Sequence, residues 1–325
     1  MTLRSTPYSA ALMVEPAIEP ATQSAVEVIA SMRALRVRCD QARADGARVG
    51  VVPTMGFLHE GHRSLMRAAR AACDLVVVTV FVNPLQFGPN EDLDRYPRDL
   101  DADLVACASE GVDLVFAPSV SELYPSYPPI TSVRVASMTD SLCGASRPGH
   151  FDGVTTVVAK LFGIIGPAHA YFGRKDAQQL AIIQRMTEDL QLPVAVVGCP
   201  LVREADGLAK SSRNAYLSED ERADAPGIFS ALREGASAVV GGMRRADDLV
   251  TLVSEHLAGI ANVRIDYVEV VNARTMRAVA ALDGDVVLAV AVFCGATRLI
   301  DNLAISIDGP AVRIDYGDGW VAPTL

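Results

Sequence analysis

Several common signatures are missing from this chain. None of its six cysteines (Cys39, Cys73, Cys107, Cys143, Cys199 and Cys294) stands in a C-x-x-C pair. That argues against a zinc knuckle or a dithiol redox pair. The thiols read instead as small hydrophobes of a reducing compartment. No uninterrupted apolar run is long enough to cross a bilayer. The segment after Met1 lacks a basic stretch followed by an apolar one, so no secretory leader is expected and the expected location is cytoplasmic. Basic residues are also in deficit, 29 against 39 acidic, for a formal charge of -10. Such a chain suits a nucleic-acid backbone poorly. A few cations in one cleft can still reverse the local potential for a small anion. There is no internal repeat and no low-complexity tract.

What is present is a globular composition, 50% hydrophobic and 21% charged over 325 residues, with length enough for two domains. Residues 1–22 lack periodicity and read as a flexible extension. Val26, Ile29, Leu35 and Val37 recur at roughly helical spacing and predict a helix over 24–44. An alternation follows: strand over 49–52, helix over 64–73, then LVVVTVFV over 75–82, apolar nearly throughout as a strand covered on both faces must be. Helix and strand continue to alternate over 101–109, 112–117, 155–165, 170–172, 176–190 and 194–197. This pattern predicts an α/β fold, a Rossmann-like doubly wound parallel sheet over 23–201, with ligands at the carboxyl ends of its strands. Strand-like segments over 264–271, 286–293 and 303–307 predict a smaller C-terminal α+β domain over 202–325.

Three stretches fall where such a sheet binds ligands. PTMGFLHEGHRSL places His59 and His62 between a predicted strand and helix. As a zinc motif it fails, since H-E-G-H is one residue shorter than H-E-x-x-H and has a glycine in the way. A structural role is open, because histidines can cap helices. A helix N-terminus, however, offers unpaired N–H groups and partial positive charge, and imidazole donors beside it suit a phosphate. LAKSSRN, with Lys210, Ser211, Ser212 and Arg213, could cradle a polyphosphate or be a solvated loop. YFGRKD ends a strand with Gly173 and sets Lys175 at the start of a helix. Together the three form the HIGH and KMSKS pattern of nucleotidylyl transfer.

These stretches, with FVNPLQFGPNEDLDRYPR and RPGHFDGVTTVVAKLF, occur in an order that resembles the pantothenate synthetase (pantoate–β-alanine ligase) family, from about Val49 onward. The resemblance implies ATP-dependent condensation of pantoate with β-alanine through a pantoyl adenylate, releasing pyrophosphate and AMP. It implies Mg²⁺ and a homodimer, with a C-terminal domain that closes over ATP, and no nucleic-acid or membrane partner. It places ATP along Met55, Gly56, Phe57, Leu58, His59, Glu60, Gly61 and His62, and along Gly173, Arg174, Lys175 and Asp176. Val202 would bond adenine through its backbone, and Lys210 to Arg213 would close over the phosphates. His59, His62, Lys175, Ser211, Ser212 and Arg213 are the implied catalytic groups, with His62 in the position usually given a proton-donor role. Asn83, Gln86, Gln179, Arg147 and His150 are the implied substrate ligands, and Asp103 the implied carboxylate near the metal. Arg174, Ala177 and Ala102 depart from the family pattern, which bears on affinity and not on reaction class. Three rivals remain: a nucleotidylyltransferase for a phosphorylated acceptor, a non-catalytic nucleotide sensor, and a metal-dependent hydrolase.

Overall fold

The computed structural model describes residues 26–89 and 91–317, and the backbone of 320–321. The expected extension over 1–22 lies outside the described residues. The chain runs β1 (Glu27–Ile29), α1 (Met32–Ala44), β2 (Val49–Thr54), α2 (Glu60–Ala72), β3 (Leu75–Val80), α3 (Leu100–Ser109), β4 (Leu114–Phe116), α4 (Val120–Leu123), α5 (Leu142–Ser146), α6 (His150–Ile165), β5 (Ala168–Gly173), α7 (Ala177–Asp189) and β6 (Val194–Cys199). It continues through α8 (Glu219–Asp224), α9 (Gly227–Val240), α10 (Ala246–Ala258), β7 (Val263–Asn272), β8 (Gly284–Cys294), β9 (Thr297–Asp308), β10 (Ala311–Asp315) and β11 (Trp320–Val321).

The first six strands make one parallel sheet in the order β1-β4-β3-β2-β5-β6. From β2 the chain winds one way through β3 and β4, then returns to β5 and winds the other way. The reversal falls between β2 and β5, the position where open α/β sheets leave a crevice at their carboxyl ends. The strands are buried as their sequence demands: Val51, Val52, Val76, Val77 and Val78 have no exposed surface. The remaining strands form a five-stranded antiparallel sheet, β11-β10-β9-β8-β7. Its own core draws on α9 and α10 through Leu232, Val239, Leu249 and Val253. Its other face reaches the first core through Val271, Val287 and Ala289. Among the described residues no helix is long and apolar enough to cross a membrane.

One expectation is corrected. The helix predicted over 24–44 is a strand followed by a helix. Residues 27–29 pair with β4, and Ile29 is 5% exposed in the sheet core. α1 begins only at Met32 and buries Leu35 and Cys39, whereas Val37 is 58% exposed. A β-branched edge strand and an exposed valine together mimicked helical spacing.

Candidate active site

The carboxyl end of β2 turns sharply into α2. Gly56 has φ +85°, and any side chain there would meet the Asp103 carboxylate at 2.8 Å. Phe57 also takes a positive φ, 53°. The turn is held from α3, where Asp103 accepts the N–H of Phe57 at 2.9 Å and of Leu58 at 2.7 Å. Asp103 is 3% exposed. Asp103, expected near a metal, braces the turn by accepting backbone N–H groups and does not line the cavity.

His59 caps α2. Its Nδ1 accepts the Gly61 N–H at 3.1 Å, and the His59 N–H is accepted by Nδ1 of His62 at 3.3 Å. Both Nδ1 atoms thus act as acceptors, so in each neutral ring the proton sits on Nε2. The rings lie 4.1 Å apart and both line one large cavity. Burial, reinforced by Lys175 and Lys210, pushes His59 down to about 4. Burial, with His59 and Lys175, pushes His62 down to about 3. At neutral pH both are uncharged N–H donors. Gly61 is small because a Cβ there would approach the His59 ring at 2.8 Å.

The cavity has a volume of about 890 Å³ and opens between the two sheets. Lys175 enters it from the turn after β5, and burial lowers its pKa from the usual ammonium range. That turn is clamped from the second sheet. Nδ2 of Asn302 donates to the carbonyls of Arg174 and Lys175 at 3.1 and 2.8 Å. Beside it Asp301, 4% exposed, binds Arg203 through two bonds of 2.6 and 3.0 Å. Ser211, Ser212 and Arg213 line the cavity from the loop after β6. Asp92 pairs with Arg213 at 3.4 Å. Arg147 is held by both oxygens of Glu91 at 2.6 Å and touches His150 Nε2 at 3.1 Å. His150 Nδ1 bonds the Gln86 carbonyl at 2.8 Å, and burial pushes this histidine down to about 4.

Most of the expected groups converge here: Met55, His59, His62, Gln86, Arg147, His150, Lys175, Asp176, Gln179 and Ser211 to Arg213 all line the cavity. Others stand apart. Glu60 faces solvent and pairs with Arg67. The Arg174 guanidinium turns to Asp315 at 2.7 Å and to the Gly198 carbonyl. Lys210 lies 3.7 Å from Glu204, and the Val202 carbonyl accepts the Lys210 N–H. Gly56, Phe57, Leu58, Gly61 and Gly173 shape the two turns without lining the cavity. Asn83 reaches the cavity wall but has both amide protons and its oxygen engaged by protein groups. Sequence reasoning missed Tyr124, Tyr267, Arg298, Asp301 and Asn302. The last two carried a legible signal, since an acid and an amide interrupt the apolar run from Leu299 to Ile305.

A sequence model of the Pantoate-beta-alanine ligase family matches residues 27–304. The pantothenate synthetase of Heliobacterium modesticaldum is 52% identical over 283 residues, covering 87% of this chain and 100% of that protein. That of Geobacillus thermodenitrificans is 50% identical over 282 residues, covering 87% and 96%. The crystal structure of pantothenate synthetase from Thermus thermophilus superposes with a TM-score of 0.80 at 44% identity, covering 85% of this chain and 98% of that one. The pantoate-beta-alanine ligase of Francisella tularensis, complexed with beta-gamma ATP and beta-alanine, gives a TM-score of 0.70 at 31% identity over 86% and 97%. This chain belongs to the pantoate–β-alanine ligase family, which joins pantoate to β-alanine at the expense of ATP.

Proposed function

We propose that the cavity is where this chain carries out both half-reactions. The carboxylate of pantoate attacks the α-phosphorus of ATP and pyrophosphate leaves. The amine of β-alanine then attacks the activated carbonyl and AMP leaves. A free carboxylate does not acylate an amine because oxide is a poor leaving group, and the mixed anhydride removes that barrier. The protein's part is to hold the reactants and to stabilise charge as it moves.

The observation that carries this reading is the hydrogen-bonded pair at the head of α2. His59 and His62 each have Nδ1 occupied by a backbone N–H, so each presents an Nε2–H donor at a helix N-terminus, with Lys175 beside them. Neutral donors suit a phosphate that gains charge, and they have no spare proton to give up. His62 therefore acts as a fixed donor and not as an acid. Lys175 and Arg213 supply the cationic charge, and Ser211 and Ser212 supply hydroxyl donors. Gln86, Gln179, Arg147 and His150 hold the acid and the amine.

The residues present do not form a protein-held Mg²⁺ site. Among the described residues no group of three or more His, Cys, Asp or Glu is placed to hold a metal, and Asp103 is committed to its turn. Magnesium accordingly enters as the complex of ATP, held through the substrate's phosphates. The chain divides at 201–202, with a smaller C-terminal part closing over ATP; the separate apolar core running from Leu208 to Ile314 supports that division. A cytoplasmic homodimer completes the reading, and sedimentation of the purified chain tests the dimer.

The deciding experiment is exchange of labelled pyrophosphate into ATP without β-alanine. Exchange that needs both pantoate and Mg²⁺ is expected. Exchange indifferent to pantoate would overturn the assignment of the acid.

A further inference from the structure

Tyr124 lies outside every motif, is 2% exposed, and stands behind the substrate-facing wall. Its hydroxyl donates to Oδ1 of Asn83 at 2.9 Å. The orientation of the Asn83 amide is set by backbone groups whose polarity is fixed. The Leu85 N–H donates to Oδ1 at 3.3 Å, and the Gly153 carbonyl accepts from Nδ2 at 3.1 Å. Flipping the amide would oppose acceptor to acceptor and donor to donor. The second Nδ2 proton therefore goes to Oε1 of Gln86, at 3.1 Å. Oε1 thereby faces Asn83, and Nε2 is turned the other way, 3.1 Å from the Met55 sulfur, a weak acceptor. The end of the Gln86 amide turned away from Asn83 is its N–H donor. The tyrosine ring is itself fixed, with Phe81 and Tyr127 at centroid distances of 6.0 and 6.3 Å and the Lys160 ammonium 5.4 Å away. Burial raises the phenol further above neutrality, so the hydroxyl keeps its proton.

We propose that the relay Tyr124–Asn83–Gln86 holds the Gln86 amide in place, with Tyr124 filling the second lone pair of an Asn83 oxygen already oriented by the backbone, and makes this wall select the carboxylate of β-alanine over an uncharged amide in its place. Tyr124 is a positioning residue that touches no substrate. The carboxylate of β-alanine is the fitting target because it stays unreacted through both steps, whereas that of pantoate is consumed in the first. The inference rests on the reading that Gln86 holds substrate.

The test is AMP release by the full chain with saturating ATP and pantoate, comparing β-alanine with β-alaninamide. Wild type should prefer β-alanine. Tyr124→Phe keeps the ring and removes one donor. It should lower kcat/KM for β-alanine about fivefold to tenfold, the scale of one lost hydrogen bond, and leave that for the amide unchanged. The KM for ATP should stay within about twofold, since the relay does not face the phosphates. Combined with Gln86→Ala it should cost no more than Gln86→Ala alone, because both changes remove one contact. Equal losses for the two amines, or additive losses, would overturn the relay while leaving Gln86 a ligand. No loss in Gln86→Ala would overturn the substrate role of Gln86 as well. Should Tyr124→Phe fold poorly, Gln86→Glu gives an independent answer. It accepts from Asn83 and turns an acceptor on the cavity, so it should reverse the preference toward the amide. An unchanged preference would overturn the proposal.

Discussion

At the scale of single residues, each of two histidines puts its two nitrogens to opposite uses. On His59 and His62, Nδ1 accepts from the backbone, so the atom left free to serve a ligand is Nε2–H. This leads to a graded expectation. His62→Ala loses the donor and should lower pyrophosphate exchange by roughly a hundredfold, in line with loss of one oxyanion-type donor. His62→Gln places an amide N–H near the same point and should recover part of that loss, which an acid-catalysis role would not allow. Exchange rates at fixed pH distinguish the two. Asp103 carries a matching lesson. A carboxylate near a phosphate site invites a metal assignment, but its oxygens are used on the Phe57 and Leu58 N–H groups of a turn held at positive φ.

At the scale of elements, the wall proposed to hold pantoate and β-alanine depends on a close approach between α6 and the short turn at Pro84–Gln86. Gly153 makes the approach possible, since a Cβ there would stand 2.3 Å from the Leu85 carbonyl oxygen and 2.6 Å from the Gln86 nitrogen. The same residue supplies the carbonyl that fixes Asn83. Gly153→Ala must push the turn off the helix. It should cost about 1–3 kcal/mol of stability, as overpacking does, and raise the KM for β-alanine more than that for ATP. Thermal melts and substrate titrations read the two effects separately. α5 and α6 also bring Arg147 and His150 to this wall, and the acidic residues Glu91 and Asp92 hold Arg147 and Arg213. An anionic substrate must take over those contacts.

At the scale of the whole molecule, the net charge and the charge of the cavity are separate facts. The chain carries -10, but in the cavity where the two sheets meet Lys175, Arg147, Arg213, Arg95 and Arg298 are matched by Glu91, Asp92, Asp176, Asp266 and Asp301. The desolvation of that cavity has a consequence for stability. His59 and His150 fall to about 4 and His62 to about 3, against about 6.5 for an imidazole in the unfolded chain. Below pH 6.5 the unfolded chain therefore binds protons that the fold refuses. The stabilisation from these three residues is complete above pH 6.5 and is lost as pH falls toward 4. The melting temperature of the ligand-free protein should drop between pH 6.5 and 5, above the range where ordinary carboxylates titrate. His150→Gln should flatten that drop. A flat profile in the parent protein would contradict the burial of these rings.

By itself the sequence determined the parallel sheet, because a strand covered on both faces must be apolar throughout, as LVVVTVFV is. It also marked three stretches that send residues into one cavity, because each carries glycine, histidine, lysine or hydroxyl groups where a sheet of this kind leaves a crevice. It could not separate a lining residue from a supporting one. Arg174 and Lys175 are neighbours in one motif, but Lys175 lines the cavity and Arg174 binds Asp315. Val26 to Val37 matched a helical period, but parallel pairing with β4 took residues 27–29 into the sheet. Tyr124 became visible, and the partners of Asp301 and Asn302 were decided, only once chain segments 40 to 130 residues away lay beside them, as in Tyr124–Asn83 at a separation of 41 and Asn302–Arg174 at 128. Local pattern fixes the period of an element and the chemistry of its ends. Which side chains touch a substrate, and which orient those that do, depends on contacts between distant segments, and only the packed tertiary structure decides them.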